Sequence, residues 1–182
     1  VLPKTPSGYL LVGASGSGKT SILVNMLTNP ALLGDWFNYI VLFTPVKSDD
    51  VIKNGLKLPK ANIINDFEEG DVKKILDKME KMIEKKGMEY VANNHRVCLI
   101  FDDILSKKKF LNGSVMKTLA TASRHYAISY FILSQYYRLI PSHIRMNVNA
   151  LVILPSSELE ISKLADERTP ANCTKRDMMK LV

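Results

Sequence analysis

Residues 13–20 read Gly-Ala-Ser-Gly-Ser-Gly-Lys-Thr: a glycine, four residues, then Gly-Lys-Thr. This pattern builds a phosphate cradle. Glycine backbones take up angles that other residues resist, so the N–H groups from Ser15 to Thr20 can turn inward on phosphate oxygens. The apolar run "GYLLV" leads into the loop and "KTSILVNMLT" continues from its end as a helix. The partial positive charge of a helix N-terminus therefore joins the amides. Lys19 has the reach for the β- and γ-phosphates of a nucleoside triphosphate, and the Thr20 hydroxyl suits Mg²⁺. Gly13, Ala14, Ser15, Gly16, Ser17, Gly18, Lys19, Thr20 and Ser21 are the expected nucleotide-binding set.

A cradle holds phosphate without deciding its fate, which other residues must settle. "VCLIFDD" is an apolar run ending in Asp102 and Asp103. Asp102 is expected to hold the hydration shell of Mg²⁺, and Asp103 to polarise an attacking water. Many hydrolases place glutamate at the second position; aspartate is one methylene shorter, so the water must sit closer to the backbone, or Asp103 caps the following turn instead. "AISYFILSQ" ends at Gln135, which at the carboxyl end of a strand next to the phosphate-loop strand can hydrogen-bond the γ-phosphate or the water, or be a loop glutamine without a role.

Neighbouring chemistries fit less well. "TKRD" at 174–177 imitates a guanine-reading segment, but no strand precedes it, and "DDIL" lacks the glycine that a GTPase carries after its magnesium strand. No Leu-Ser-Gly-Gly-Gln segment of the transporter type occurs. A nucleotide kinase would want an arginine-rich lid. "SKKKFLNG" offers lysines, the poorer bidentate clamp, so kinase stands as the enzyme alternative. A non-hydrolysing ATP-binding switch is the remaining class, favoured only if Asp103 and Gln135 are dispensable.

Apolar patterning indicates the elements that hold these residues. Strands are expected at 8–12, 39–43, 62–66, 96–101, 127–133 and 149–154, and helices at 19–28, 71–86, 114–125, 157–165 and 175–181; 46–60 reads as a loop. Val72, Ile75, Leu76, Met79, Met82 and Ile83 form one stripe at helical spacing, which is most simply core-facing. Strands with almost no polar alternation, separated by helices, predict an α/β fold in which a mainly parallel central sheet is covered by helices on both faces. "YIVLF" lies in sequence between the phosphate-loop strand and "RVCLIFDD", so a strand is expected to be inserted beside the first. No repeat or linker divides the chain. Residues 1–182 are expected to form a single domain with its core at about 8–155 and a short helical C-terminal segment at 156–182.

The chain has 182 residues, 46% of them hydrophobic, enough for one substantial core. Its longest apolar stretches are strand-length, so no membrane insertion is expected, and no signal peptide is read at the start. Because the first residue is Val1, the chain is expected to be a fragment or processed form of something longer. Cys98 and Cys173 are too few for a disulfide framework, which fits a reducing, intracellular setting. The formal charge of +7 leans towards a polyanionic partner.

Four segments, "GASGSGKTS", "VCLIFDD", "SRHYAISYFILSQ" and "IPSHIRMN", stand in this order. In order and spacing they resemble the DNA-packaging ATPases of large DNA viruses and virophages, the poxvirus-type branch of the FtsK–HerA superfamily. The resemblance covers about residues 8–155. It implies a RecA-like P-loop fold and a Mg²⁺-dependent ATP hydrolase, working as a homo-oligomer and most simply as a ring. That motor would drive double-stranded DNA into a capsid, with capsid or portal proteins as possible partners, in the host cytoplasm or a viral factory. A HerA- or FtsK-like translocase or helicase in another role is the nearest alternative. The matching positions are Lys19, Thr20, Asp102, Asp103, Gln135 and an arginine finger.

Phosphates sit at the carboxyl ends of parallel strands. The chain must therefore return to the opposite edge before strand 127–133; helix 114–125 spans about 18 Å for this, against about 23 Å for the strand. Arg124 is thereby placed far from its own nucleotide and within reach of a neighbour's, so it is the preferred finger, acting in trans. Arg145, before strand 149–154, is the second choice, and either could instead be an ordinary helix-end cation. Lys107, Lys108 and Lys109, on an expected loop, and Lys47, Lys53, Lys57 and Lys60 are the candidate DNA contacts. No base-reading pattern occurs, so phosphate-dominated binding is expected.

Overall fold

The computed structural model describes residues 2–45, 50–169 and 172–179. Lys47 and the expected helical residues 180–181 lie outside the described residues. In chain order the elements are β1 (Gly8–Val12), α1 (Lys19–Thr28), β2 (Tyr39–Thr44), α2 (Asp50–Gly55), β3 (Ile63–Asn65), α3 (Glu69–Lys86), α4 (Met88–Asn94) and β4 (Val97–Asp102). They continue with α5 (Lys108–Asn112), α6 (Ser114–Ala122), β5 (Ile128–Ser134), α7 (Ser142–Arg145), β6 (Ala150–Ile153), α8 (Glu158–Arg168) and α9 (Lys175–Met179).

The strands form one sheet in the order β3-β2-β4-β5-β1-β6, and every pair is parallel. Side chains alternate between two apolar layers, as the period of a strand requires. Leu10, Val12, Leu99, Phe101, Tyr130 and Ile132 join Val72, Leu76 and Met79 of α3 and Met116 and Leu119 of α6. Tyr9, Leu11, Cys98, Ile100, Phe131 and Leu133 meet Leu23, Met26 and Leu27 of α1 on the other face. The uninterrupted apolar strands therefore have the cause expected of them: both faces are covered. The methionine-bearing stripe of α3 faces the core, with Val72, Leu76 and Met79 buried.

Several local expectations are corrected. A strand is inserted beside β1 as expected, but it is β5, the strand that ends before Gln135; β2 pairs with β4 on the far side. Part of the stretch read as a loop folds as α2, because Ile52 is fully buried in the second layer. The lysines at 108 and 109 stand on helix α5 rather than a loop. Phe110 of that helix is the anchor: it meets Phe67 edge-on at 5.0 Å, and Phe67 in turn packs against Phe43 at 5.2 Å. The helix expected over 114–125 ends at Ala122 and tightens into a 3₁₀ turn, Ser123–Tyr126, before Ala127 takes a left-handed φ of 54° and starts β5.

α6 depends on a carboxylate from another element. Glu69, the first residue of α3, accepts hydrogen bonds from the Val115 amide at 2.6 Å and the Ser114 hydroxyl at 3.1 Å. It thus satisfies donors at the start of α6, the role an N-cap side chain usually fills. Glu69→Ala is expected to cost about 1–2 kcal/mol of unfolding free energy, read from urea denaturation of the whole chain. An unchanged midpoint would show that Glu69 does not stabilise the start of α6.

Candidate functional site

The phosphate loop runs from the carboxyl end of β1 to the first turn of α1, and three backbone bonds fix its course. Gly13 N–H donates to Ser134 O at 3.2 Å, Ala14 N–H to Pro155 O at 3.0 Å and Ser17 N–H to Ala14 O at 3.2 Å. The loop is thus moored to the end of β5 on one side and to the segment after β6 on the other. Gly16 and Gly18 hold φ of 72° and 93°, left-handed values that a side chain would strain. Past Gly18 the helix begins, where early amides have no carbonyl one turn back and aim at whatever lies over the loop.

Lys19 curls over this loop. Its ammonium donates to Gly13 O at 2.7 Å and Ala14 O at 2.8 Å. Partial burial lowers its pKa, while the carboxylates of Asp102 and then Asp103 oppose the shift. The three charged groups expected from sequence therefore feel one another in a single site. Asp102 closes β4 opposite Leu133 of β5. Asp103 follows with a left-handed φ of 50°, a conformation aspartate tolerates better than most residues. It occupies the cap position of the 3₁₀ turn Ile104–Ser106, yet its side chain makes no capping hydrogen bond there. The carboxylate is exposed beside the loop, not tied into the turn.

Gln135 is the first residue past β5, half-buried, and directly follows the residue that accepts from Gly13. Since β5 separates β1 from β4, Gln135 falls between the phosphate loop and Asp102. The Ser134 hydroxyl donates to Tyr136 O at 3.0 Å and accepts from the Tyr136 amide at 3.2 Å, closing a tight turn around Gln135. Thr20 and Asp102 offer a hydroxyl and a carboxylate, hard oxygen donors suited to Mg²⁺. Among the described residues no three His, Cys, Asp or Glu side chains cluster as a metal cage. One or two protein oxygens are what Mg²⁺ uses where phosphate and water supply the rest.

The two arginines part company. Arg124 lies in the 3₁₀ turn before β5, exposed, at the amino edge of the sheet, so the length of β5 separates it from Gln135. Arg145, the second choice of finger, is occupied inside the chain: 7% exposed, it donates from Nε to Glu167 Oε2 at 2.9 Å and from Nη2 to Glu167 Oε1 at 2.6 Å. Its Nη1 donates to Ile140 O. A buried, bidentate guanidinium cannot also extend to a neighbouring molecule, and that corrects the expectation. Sequence reasoning missed Glu160 and Glu167. The one available signal was their seven-residue spacing on an otherwise ordinary helix, which places both on one face.

The lysine run divides as well. Lys107 pairs with Asp66 and lies over the Phe67 ring at 5.7 Å, whereas Lys108 and Lys109 are exposed on α5. With Ser106, Glu68 and Phe110 they border an open pocket of about 480 Å³ on the side of the sheet where β3 and β4 end. No helix among the described residues is long and apolar enough to cross a membrane.

Comparison with known proteins bears on the fold and the family. The DNA packaging protein OPG160 of vaccinia virus (strain Copenhagen) is 32% identical over 154 residues, spanning 81% of this chain and 52% of the relative. The chain thus spans about half the length of the curated relatives it matches. Among solved structures, B204, the DNA-packaging ATPase from Sulfolobus Turreted Icosahedral Virus, superposes with a TM-score of 0.63 at 15% identity, covering 98% of this chain and 89% of that one. The genome packaging NTPase B204 from Sulfolobus turreted icosahedral virus 2, in complex with ATP-gammaS, gives 0.59 at 12% identity, covering 99% and 87%. These likenesses establish the P-loop ATPase fold with its RecA-like sheet. Residues 2–182 match the family described as Poxvirus A32 protein, and the chain belongs to that family.

Proposed function

We propose that this chain is the ATP-hydrolysing domain of a motor that moves double-stranded DNA, and that it serves viral genome packaging. The observation that carries this reading is the convergence of Lys19, Asp102, Asp103 and Gln135 at the carboxyl ends of three neighbouring strands, β1, β5 and β4. The 32% identity to a vaccinia virus DNA packaging protein and the fold shared with a packaging ATPase support it. The phosphate loop amides and Lys19 bind and orient the triphosphate. Asp103 polarises the attacking water and accepts its proton, while Gln135 hydrogen-bonds the γ-phosphate or the water and orients it. Mg²⁺, held by Thr20 and Asp102, would supply charge neutralisation at the β- and γ-phosphates.

A site so built gains from one further component, an arginine that follows charge onto the leaving phosphate. Arg124 cannot supply it to its own nucleotide, being at the other edge of the sheet. It can supply it to a neighbour's when copies stack amino edge to carboxyl edge. Such a head-to-tail contact closes as a ring, with DNA enclosed, and capsid components as the outer partners. The setting is the host cytoplasm or a viral factory. Exposed Lys108 and Lys109 are the DNA contacts favoured by their freedom; Lys107, paired with Asp66, is less available.

Two experiments address these assignments. Arg124→Ala and Lys19→Ala chains are each expected to lose ATPase activity by about 10³-fold, while a mixture recovers part of it, because one copy retains a finger and the other a cradle. Mixtures that never exceed the single variants would remove the trans assignment. For DNA, replacing Lys108 and Lys109 by glutamate is expected to lower the slope of log affinity against log salt by about 2, in binding to duplexes of random sequence. An unchanged slope would move the DNA contact elsewhere on the surface.

A further inference from the structure

The segment that carries Gln135 is held at almost every residue by bonds that the hydrolysis site itself does not explain. Tyr137, 1% exposed, donates its hydroxyl to Glu167 Oε2 at 3.0 Å. The Arg138 amide donates to Glu160 Oε2 at 3.0 Å, and its Nε lies 2.8 Å from Glu160 Oε1. Arg145 donates to the carbonyls of Arg138, at 3.4 Å, and Ile140, and its guanidinium rests on the Tyr137 ring at 5.2 Å. Glu160 is 3% exposed, so a carboxylate has been taken from water to make these bonds. Seven residues are close to two helical turns, so Glu160 and Glu167 stand on one face of α8, aligned with the loop beside them.

α8 is also tied to the phosphate loop. The chain enters it from Leu154 and Pro155, whose backbones are bonded to Val12 and Ala14 respectively. One helix thus reaches from the cradle to the loop that ends in α7.

We propose that Glu160, Glu167 and Arg145 are positioning residues for Gln135, with α8 acting as a splint that fixes the Gln135 loop relative to the phosphate cradle. This rests on the reading of Gln135 as the group that meets the γ-phosphate or the attacking water. A glutamine amide placed about 1 Å away loses most of its effect on the reaction, which is why a loop residue in this role needs external support. The electrostatics suit a permanent device. The Arg145 guanidinium holds the Glu167 carboxyl at about 2, far below the usual carboxylate range. Because the folded value is the depressed one, the pair's contribution is complete above the unfolded carboxylate range and is lost only as pH falls towards about 2. The Arg145–Glu167 pair does not titrate near neutrality.

The test is a double-variant cycle on the whole chain, reading kcat for ATP and, separately, affinity for ATPγS. Arg145→Ala is expected to lower kcat by about 10- to 100-fold and to leave ATPγS affinity within about twofold. In a Gln135→Ala background the same substitution is expected to cost less than about twofold, because the residue it positions is already gone. Tyr137→Phe removes one hydrogen bond while keeping the ring, and is expected to lower kcat by about 2- to 10-fold with the same loss of effect in that background. If Arg145→Ala prevents folding, the Tyr137→Phe cycle decides alone. Equal costs in both backgrounds, or activity restored by mixing Arg145→Ala with Lys19→Ala chains, would overturn the splint. A silent Gln135→Ala would instead remove the reading of Gln135, and the splint with it.

Discussion

The backbone ladder that joins β4, β5 and β1 is the constraint on which the site depends. Parallel pairing sets Val12 against Ser134 and Asp102 against Leu133, so three strand ends finish at one level. No side-chain contact is needed to bring the phosphate loop, Gln135 and Asp102 together; hydrogen bonds between main chains do it. The ladder is strong because it is dry. Its strands are apolar on both faces, and Leu10, Leu99, Ile100, Phe131 and Ile132 are fully buried. A slip of one residue would send each layer to the wrong side, so register is specified twice over.

The same ladder divides the chemistry. Parallel strands present every carboxyl end at one edge and every amino end at the other. The phosphate loop, Asp102, Asp103 and Gln135 share the first edge, and Arg124 occupies the second. The separation is a consequence of topology, and it is why the proposed role of Arg124 requires a second copy of the chain. α8 adds a second layer of order. The segment leading into it bonds to the phosphate loop through Pro155, and through Glu160 and Glu167 it holds the loop that carries Gln135.

How far each feature could be read in advance follows from how local its cause is. The phosphate loop was legible outright, because its glycines, lysine and flanking strand and helix lie within one short segment. The stripe of α3 was legible for the same reason, as was Asp102 at the end of an apolar run. The place of β5 beside β1 was expected, but the position of β2 beyond β4 was not, since pairing between distant strands leaves no mark in either one. α5 was hidden because it is held by Phe110 docking on Phe67, far apart in sequence, and its lysines looked like a loop. Arg145 shows the limit most clearly. Its place before a strand invited the reading of an exposed finger, and only Glu167 on α8 reveals that it is buried and paired. Arg124 was legible by chain length alone, since the chain had to regain the amino edge before β5.

Release of inorganic phosphate from ATP shows most directly whether the phosphate held by this loop is hydrolysed to move DNA. It should be followed on the size-separated oligomer with and without long double-stranded DNA. Phosphate release is expected without any acceptor substrate, faster in the oligomer and faster again with DNA. Turnover that requires a nucleoside monophosphate and transfers the phosphoryl group to it, indifferent to DNA, would rule out a DNA motor and make the site that of a kinase.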